Sequence, residues 1–323
     1  MNHLLSLTDI PQQAFLHLLE RSCAYAREPW PEHAPLARRS VGIEFRKTST
    51  RTRTSFAVAA VRLGGQPIIF GPADLQTNTG ESTLDTVRVF GGFLDALVIR
   101  TAGDPAELRL MSQANQLPIV NAMSADEHPT QALTDIALIK RRFGELDGLK
   151  LLYSGEGNNT AIALAYAASR CRGFEADFRT PPGYGIPEPV LRAANQLCEQ
   201  FGGRIRHSHE PPAATANHSV DILYTTRWQT TGTSKADHAW HESFAPFSLD
   251  ERIFARLRRD ARSAFMHDLP AVRGEECNSA LLDGPDSICF EQAGQKLFTA
   301  MAVLEWCTLA AKAPVAARKL ASD

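Results

Sequence analysis

The chain has 323 residues, 44% of them hydrophobic and 22% charged, with a formal net charge of −2. That balance is ordinary for a globular protein and supplies no global field for nucleic acid or an anionic membrane. The length exceeds one simple core and predicts two domains, and no apolar run is long enough to span a bilayer.

The first twenty residues, MNHLLSLTDIPQQAFLHLLE, lack a basic leader and a cleavage signal, and read as an amphipathic helix after Pro11. A cytoplasmic protein follows by default. Strand-like and helix-like runs then alternate, which predicts a parallel α/β architecture. Strands are expected at 41–45, 66–70, 96–100 and 118–120, with helices near 50–63, 81–92 and 104–115. The run 129-PTQALTDIALIKRRFG-144 opens with Pro and ends in Gly, as a helix should.

The polar segment 144-GELDGLK-150 marks a domain boundary, giving a first domain over 1–144 and a second over 148–294. The second series has strands at 149–154, 175–179, 204–208, 221–226 and 263–267, with helices after 154 and at 187–202. A last helical run, 295–313, is expected to return to the first domain with the rest of 295–323. Cys23, Cys171, Cys198, Cys277, Cys289 and Cys307 have no CxxC or CxH spacing and read as reduced, mostly buried thiols rather than a zinc site. His207, His209 and His218 suit no metal geometry. The run 252-RIFARLRRD-260 reads as a solvated helix face, and Trp228 as a core or pocket residue.

The densest chemistry lies in 44-EFRKTSTRTRTSF-56, where a strand gives way to a helix. Ser49 is a natural N-cap. The first turn of a helix carries unpaired N–H groups and the positive end of the dipole, so cations placed there need an anion to neutralise. Ser49, Thr50, Arg51 and Thr52 therefore predict a phosphate or carboxylate site. Arg100 ends a strand, the edge where ligands collect in open α/β sheets. In 128-HPTQ-131, His128 and Gln131 share one side of a helix start.

These motifs resemble the aspartate/ornithine carbamoyltransferase family. The matching segments are STRTR (49–53), GESTLDT (80–86), Arg100, HPTQ (128–131), GEGNN (155–159), DILYTTRWQ (221–229), HDLPA (267–271) and QAGQK (292–296), in family order. The resemblance implies two Rossmann-like α/β domains, each with a central parallel sheet flanked by helices. It implies that the first binds carbamoyl phosphate and the second an amino-acid acceptor, with no cofactor and no metal. It also implies a homotrimer with active sites shared between subunits, and neither nucleic acid nor membrane as a partner. Carried over, Ser49, Thr50, Arg51 and Thr52 hold the phosphate. Arg100, His128 and Gln131 act on the carbamoyl group, and Lys296 stands where ornithine enzymes carry an arginine. Arg100, His128 and Thr52 are the expected catalytic donors. The loop 74-DLQTNTGES-82 resembles the one that enters a neighbouring subunit's site, with Gln76 as the contact.

On the acceptor side the resemblance implies roles for Asn159, Arg227, Gln229, Asp268 and Leu269. Thr226 stands where ornithine enzymes carry Asp, and 230-TTG-232 replaces their Ser-Met-Gly. Arg227 and Gln229 resemble the aspartate enzymes instead. Asp268 replaces the Cys of ornithine enzymes and the Pro of aspartate enzymes. A carboxylate there suits a cationic amine on the substrate or an internal pair with Arg227 or Lys296. The expected acceptor is a small, ornithine-like or shorter diamino acid, with an aspartate-type acceptor or a non-catalytic scaffold as alternatives. A dinucleotide-binding reading of 154-SGEGNNTA-161 with Asp177 lacks its third glycine, which is Thr160, and leaves 49–53 and 128–131 unexplained.

Overall fold

The computed structural model describes residues 1–101, 103–214, 219–230 and 234–309. The chain forms two compact units, Met1–Ala137 with the described residues from Gln295, and Leu138–Gly294. Each is built on one parallel sheet, and all nine strands expected from the sequence are present.

The first unit opens with α1 (Gln12–Arg27), then β1 (Ser40–Phe45), α2 (Arg51–Arg62), β2 (Gln66–Phe70), α3 (Thr83–Phe90), β3 (Ala96–Arg100), α4 (Ala106–Gln113) and β4 (Ile119–Met123). The strand order is β2-β1-β3-β4. Every residue of β3 and β4 is buried, the pattern of a parallel strand covered on both faces. Edge strand β2 is different, with three of its five residues exposed. Leu4 adds a parallel bridge to Val120, so the N-terminal segment lies against β4. Helix α5 (Pro129–Phe143) begins in this unit, and the division at Ala137/Leu138 falls inside it.

The second unit continues with β5 (Lys150–Ser154), α6 (Asn159–Ser169), β6 (Glu175–Arg179), α7 (Glu188–Phe201), β7 (Arg204–Ser208), β8 (Ile222–Thr225), α8 (Trp240–Phe244), α9 (Glu251–Leu257), β9 (Ala264–His267) and α10 (Ser279–Leu282). Its order is β7-β6-β5-β8-β9, all parallel. Beneath β8 and β9, Leu223, Phe265, Leu249, Phe254 and Leu282 form one apolar cluster. The 252–260 run is thus only half solvated, because α9 buries Phe254 and Leu257 on its inner side. Helix α11 (Cys289–Leu309) starts six residues before the expected 295, and the remainder of the predicted run, from 310, lies outside the described residues, as does His218. Among the described residues no helix is long and apolar enough to cross a membrane.

Candidate active site

In the first unit the chain reverses its direction of travel across the sheet between β1 and β3, and the predicted donor-side residues collect at that point. Open α/β sheets bind ligands in the crevice where the strand order reverses. β1 leads into Ser49–Thr52, β3 ends on Arg100, and β4 leads to His128 at the mouth of α5. Arg100, 8% exposed, donates from Nη1 to Ser49 Oγ at 3.4 Å. Ser49 is not the N-cap residue itself. α2 begins at Arg51 with Thr50 already helical (φ −81°, ψ −57°) and without a side-chain cap, while Ser49 Oγ accepts the Arg53 N–H at 3.4 Å. Thr52 is buried, Ser49 and Arg51 are half-buried, and Thr50 is exposed. The positive end of the α2 dipole thus lies at this corner, as an anion site requires.

His128 is buried, and its Nδ1 lies 3.3 Å from Thr130 Oγ1. Burial pushes its pKa well below the ordinary value, and the charges of Lys296 and then Arg100 push it further. It is therefore a neutral imidazole at neutral pH, able to donate one hydrogen bond without carrying a charge. Lys296, 6% exposed, donates to Gln131 Oε1, and Gln131 Nε2 donates to Asp135 Oδ1 at 2.8 Å. Arg46 forks onto Glu107 at 2.7 and 2.9 Å and reaches Glu44 at 2.6 Å. Gln76 stands apart, exposed in a short 3-10 turn (Gln76–Thr79) with its Oε1 accepting from Thr79 Oγ1 at 2.7 Å.

In the second unit the reversal lies between β5 and β8. The loop after β5 carries Asn158 and Asn159, the one after β8 carries Arg227 and Gln229, and the turn after β9 carries Asp268 and Leu269. Asn158 caps α6 by accepting from the Thr160 and Ala161 N–H groups, which leaves Asn159, 4% exposed, as the first helical residue. Gly157 permits the close approach of this loop to residue 185, since a Cβ there would lie 2.3 Å from the Gly185 carbonyl carbon. Arg227 is half-buried, and its buried Nε has no hydrogen-bond partner among the described residues. Gln229 and Leu269 are half-buried.

Asp268 is held differently from either sequence expectation of an internal salt bridge. Thr160 Oγ1 donates to its Oδ2 at 2.9 Å and Thr226 Oγ1 to its Oδ1 at 2.8 Å. His267 Nδ1 lies 3.5 Å away, but it accepts the Leu269 N–H at 2.8 Å and so offers Asp268 no proton. Among the described residues no Lys or Arg pairs with Asp268, so two neutral hydroxyls fix a carboxylate whose charge is uncompensated. The two threonines were not singled out by sequence as its holders. Their sequence sign is slight: Thr160 directly follows GEGNN, and Thr226 lies within DILYTTRWQ.

Behind the turn, His267 Nε2 lies 3.0 Å from Glu276 Oε1, which also accepts the Val272 N–H at 2.6 Å. Cys277 completes a group of three buried potential ligands. His267 already uses both ring nitrogens, so this group serves to fix the turn. The dinucleotide reading meets a similar obstacle, because Asp177 is occupied by Arg179 at 2.7 and 2.9 Å. Trp228 packs with Trp240 and Phe244 in a buried cluster, its core alternative.

Both halves of the chain match known proteins. Residues 2–141 match the family model described as aspartate/ornithine carbamoyltransferase, carbamoyl-P binding domain, and residues 147–307 match its Asp/Orn binding domain. The chain is 37% identical over 306 residues to an ornithine carbamoyltransferase of Acidothermus cellulolyticus, covering 95% of this chain and 96% of that one. Among solved structures it is similar to the ornithine carbamoyltransferase from Pyrococcus furiosus, with a TM-score of 0.88 and 32% identity over 96% of this chain and 98% of that one. The ornithine transcarbamoylase from Giardia lamblia follows at 0.84 and 28%, over 96% and 99%.

Proposed function

The chain belongs to the aspartate/ornithine carbamoyltransferase family, and from that premise we propose that it carbamoylates one amine of a small diamino acid whose second amine stays protonated on Asp268. The reaction class is carbamoyl transfer from carbamoyl phosphate with release of phosphate. The finer reading, the acceptor, is carried by one observation: Asp268 is fixed by Thr160 and Thr226 and is left without a cation among the described residues. A standing carboxylate of this kind is stabilised by a substrate ammonium.

The donor half follows from residue chemistry. The neutral amine nitrogen attacks the carbamoyl carbon, forming the new C–N bond and a tetrahedral oxyanion. The C–O bond to phosphate then breaks, and the amine's proton passes to the departing phosphate. Arg100, neutral His128 and the Thr52 hydroxyl are the donors for the oxyanion. Ser49, Thr50, Arg51 and the first turn of α2 hold the phosphate as its charge grows. Lys296 and Gln131, bonded to each other, orient the carbamoyl group. Arg227, whose buried Nε has no partner among the described residues, and Asn159 receive the acceptor's carboxylate.

The trimer implied by the family resemblance also belongs to this reading. It is supported by the edge strand β2, where Ile68 and Ile69 are 40% and 51% exposed, and by Val89 and Phe93 at 50% and 72%. Large apolar side chains in such positions gain from burial against another copy.

The test is an acceptor screen with labelled carbamoyl phosphate against 2,3-diaminopropionate, 2,4-diaminobutyrate, ornithine, putrescine and aspartate. A short diamino acid is expected to give the best kcat/KM. Asp268→Asn should raise its KM by about tenfold to a hundredfold with little change in the KM for carbamoyl phosphate. Ornithine or aspartate winning by a wide margin would refute the altered acceptor site. Stabilisation by carbamoyl phosphate without turnover on any acceptor would favour a binding-only homologue.

A further inference from the structure

Lys235 occupies an unusual place for a lysine. Its side chain is 6% exposed, although lysines normally carry their ammonium out to water. The ammonium lies 4.7 Å from the ring centroid of Tyr184, 4.9 Å from Phe244 and 5.3 Å from Trp240. It also forms an ion pair with Glu156 Oε1. Three aromatic faces and one carboxylate thus surround a single cation, an arrangement that stabilises a desolvated ammonium.

The contacts continue from Glu156 toward the acceptor residues. Thr230 Oγ1 donates to Glu156 Oε2 at 3.3 Å and accepts from Asn158 Nδ2 at 3.2 Å. Asn158 Oδ1 in turn caps α6. The chain following β8 is therefore fastened at Thr230 and at Lys235, and both fastenings end on the loop after β5. Arg227 and Gln229 lie between β8 and these anchor points.

We propose that Lys235 and Glu156 form a buried clasp that holds the Arg227–Gln229 segment in position for the acceptor's carboxylate, making Lys235 a positioning residue for the acceptor half of the reaction. The inference rests on the reading of Arg227 and Gln229 given above. It also assigns different work to two nearby carboxylates. Glu156 is neutralised internally by Lys235, whereas Asp268 is left for the substrate.

The experiment compares Lys235→Met, which keeps an apolar chain in the ring cage, with Lys235→Arg, which keeps the cation. Lys235→Met should raise the acceptor KM by about tenfold or more, with the KM for carbamoyl phosphate changed by less than about twofold; Lys235→Arg should recover part of the loss. Glu156→Gln, which keeps an oxygen for Thr230, should behave like Lys235→Met and add little to it in the double variant. It also serves as the reporter if Lys235→Met does not fold. An unchanged acceptor KM, or equal rises in both KM values, would overturn the clasp. Hydrogen exchange gives a readout that needs no turnover: the amides of 226–230 should exchange about tenfold faster in the variants than in the parent, with β5 and β6 unchanged. Unaltered exchange there would also overturn it. If the parent protein carbamoylates no acceptor, the functional reading fails, and the exchange result alone decides the clasp.

Discussion

Lys296 shows how one side chain affects both a bond and a titration. Its ammonium rests on Gln131 Oε1 while the same amide donates to Asp135, so Gln131 cannot rotate without losing both partners. A lysine gives a point charge where an arginine would give a fork, so in the proposed reaction it would steady the carbamoyl group through Gln131 and through charge rather than through bidentate geometry. Its charge is also one reason that His128 titrates low, after burial itself. Removing that charge should let the imidazole hold its proton more readily. Lys296→Met is therefore expected to weaken carbamoyl phosphate binding by about tenfold to a hundredfold, measured by calorimetry, and to move the His128 titration upward, measured by NMR. Weakened binding with an unmoved His128 would mean that the lysine's charge is not felt at the imidazole.

At the scale of elements, both units place their polar groups where parallel strands end and helices begin, and Glu127 shows what fastens one of these corners. It is buried between β4 and α5, and its Oε1 accepts the Leu7 N–H at 2.8 Å, tying the N-terminal segment to the loop that presents His128. Burial raises its pKa to about 7 from the ordinary 4.5, opposed by hydrogen bonds from Ser6 and Leu7. Between those values the folded chain keeps a proton that the unfolded chain has released. Stability should accordingly fall as pH rises through that window, by about 3 kcal/mol in all. Glu127→Gln, which is neutral and retains an acceptor for Leu7, should gain stability in urea unfolding at pH 8 and differ far less at pH 5. An equal change at both pH values would mean that the carboxyl is not titrating there.

The same scale shows what could be read in advance. The central strands were legible because buried parallel strands appear as short apolar runs separated by helical periods, and VGIEF, ALVIR and DILYTT are such runs. The short helices α8 and α10 were not, because four or five residues carry no period. The onset of α11 was obscured by the polar QAG at 292–294. In the site, Arg100, His128 and the 49–52 corner stood out because a polar cluster followed an apolar strand. The clasp did not, because Tyr184, Trp240 and Phe244 come together with Lys235 and Glu156 only through the tertiary fold. The threonines that fix Asp268 were hidden for the same reason, 66 positions separating Thr160 from Thr226.

At the scale of the whole molecule, the reading makes a prediction about subunits that a lone chain cannot satisfy. Gln76 is exposed and, among the described residues, its side chain bonds to Thr79 of its own short turn, in keeping with a role toward another copy. A trimer of this 35.4 kDa chain has a mass of about 106 kDa. Charge introduced on the exposed apolar surface, as in Ile69→Asp with Phe93→Asp, should lower the measured mass toward that of one chain and reduce activity in parallel. Mixing provides the sharper test. Gln76→Ala and Arg100→Met should each be nearly inactive alone. After the two are dissociated together and reassembled in equal amounts, a site is intact only where an Arg100-bearing subunit meets a neighbour that retains Gln76. Random assembly of a cyclic trimer makes that about one site in four. Recovery of roughly a quarter of parental activity is expected, whereas no recovery above the separate variants would mean that Gln76 serves only its own subunit.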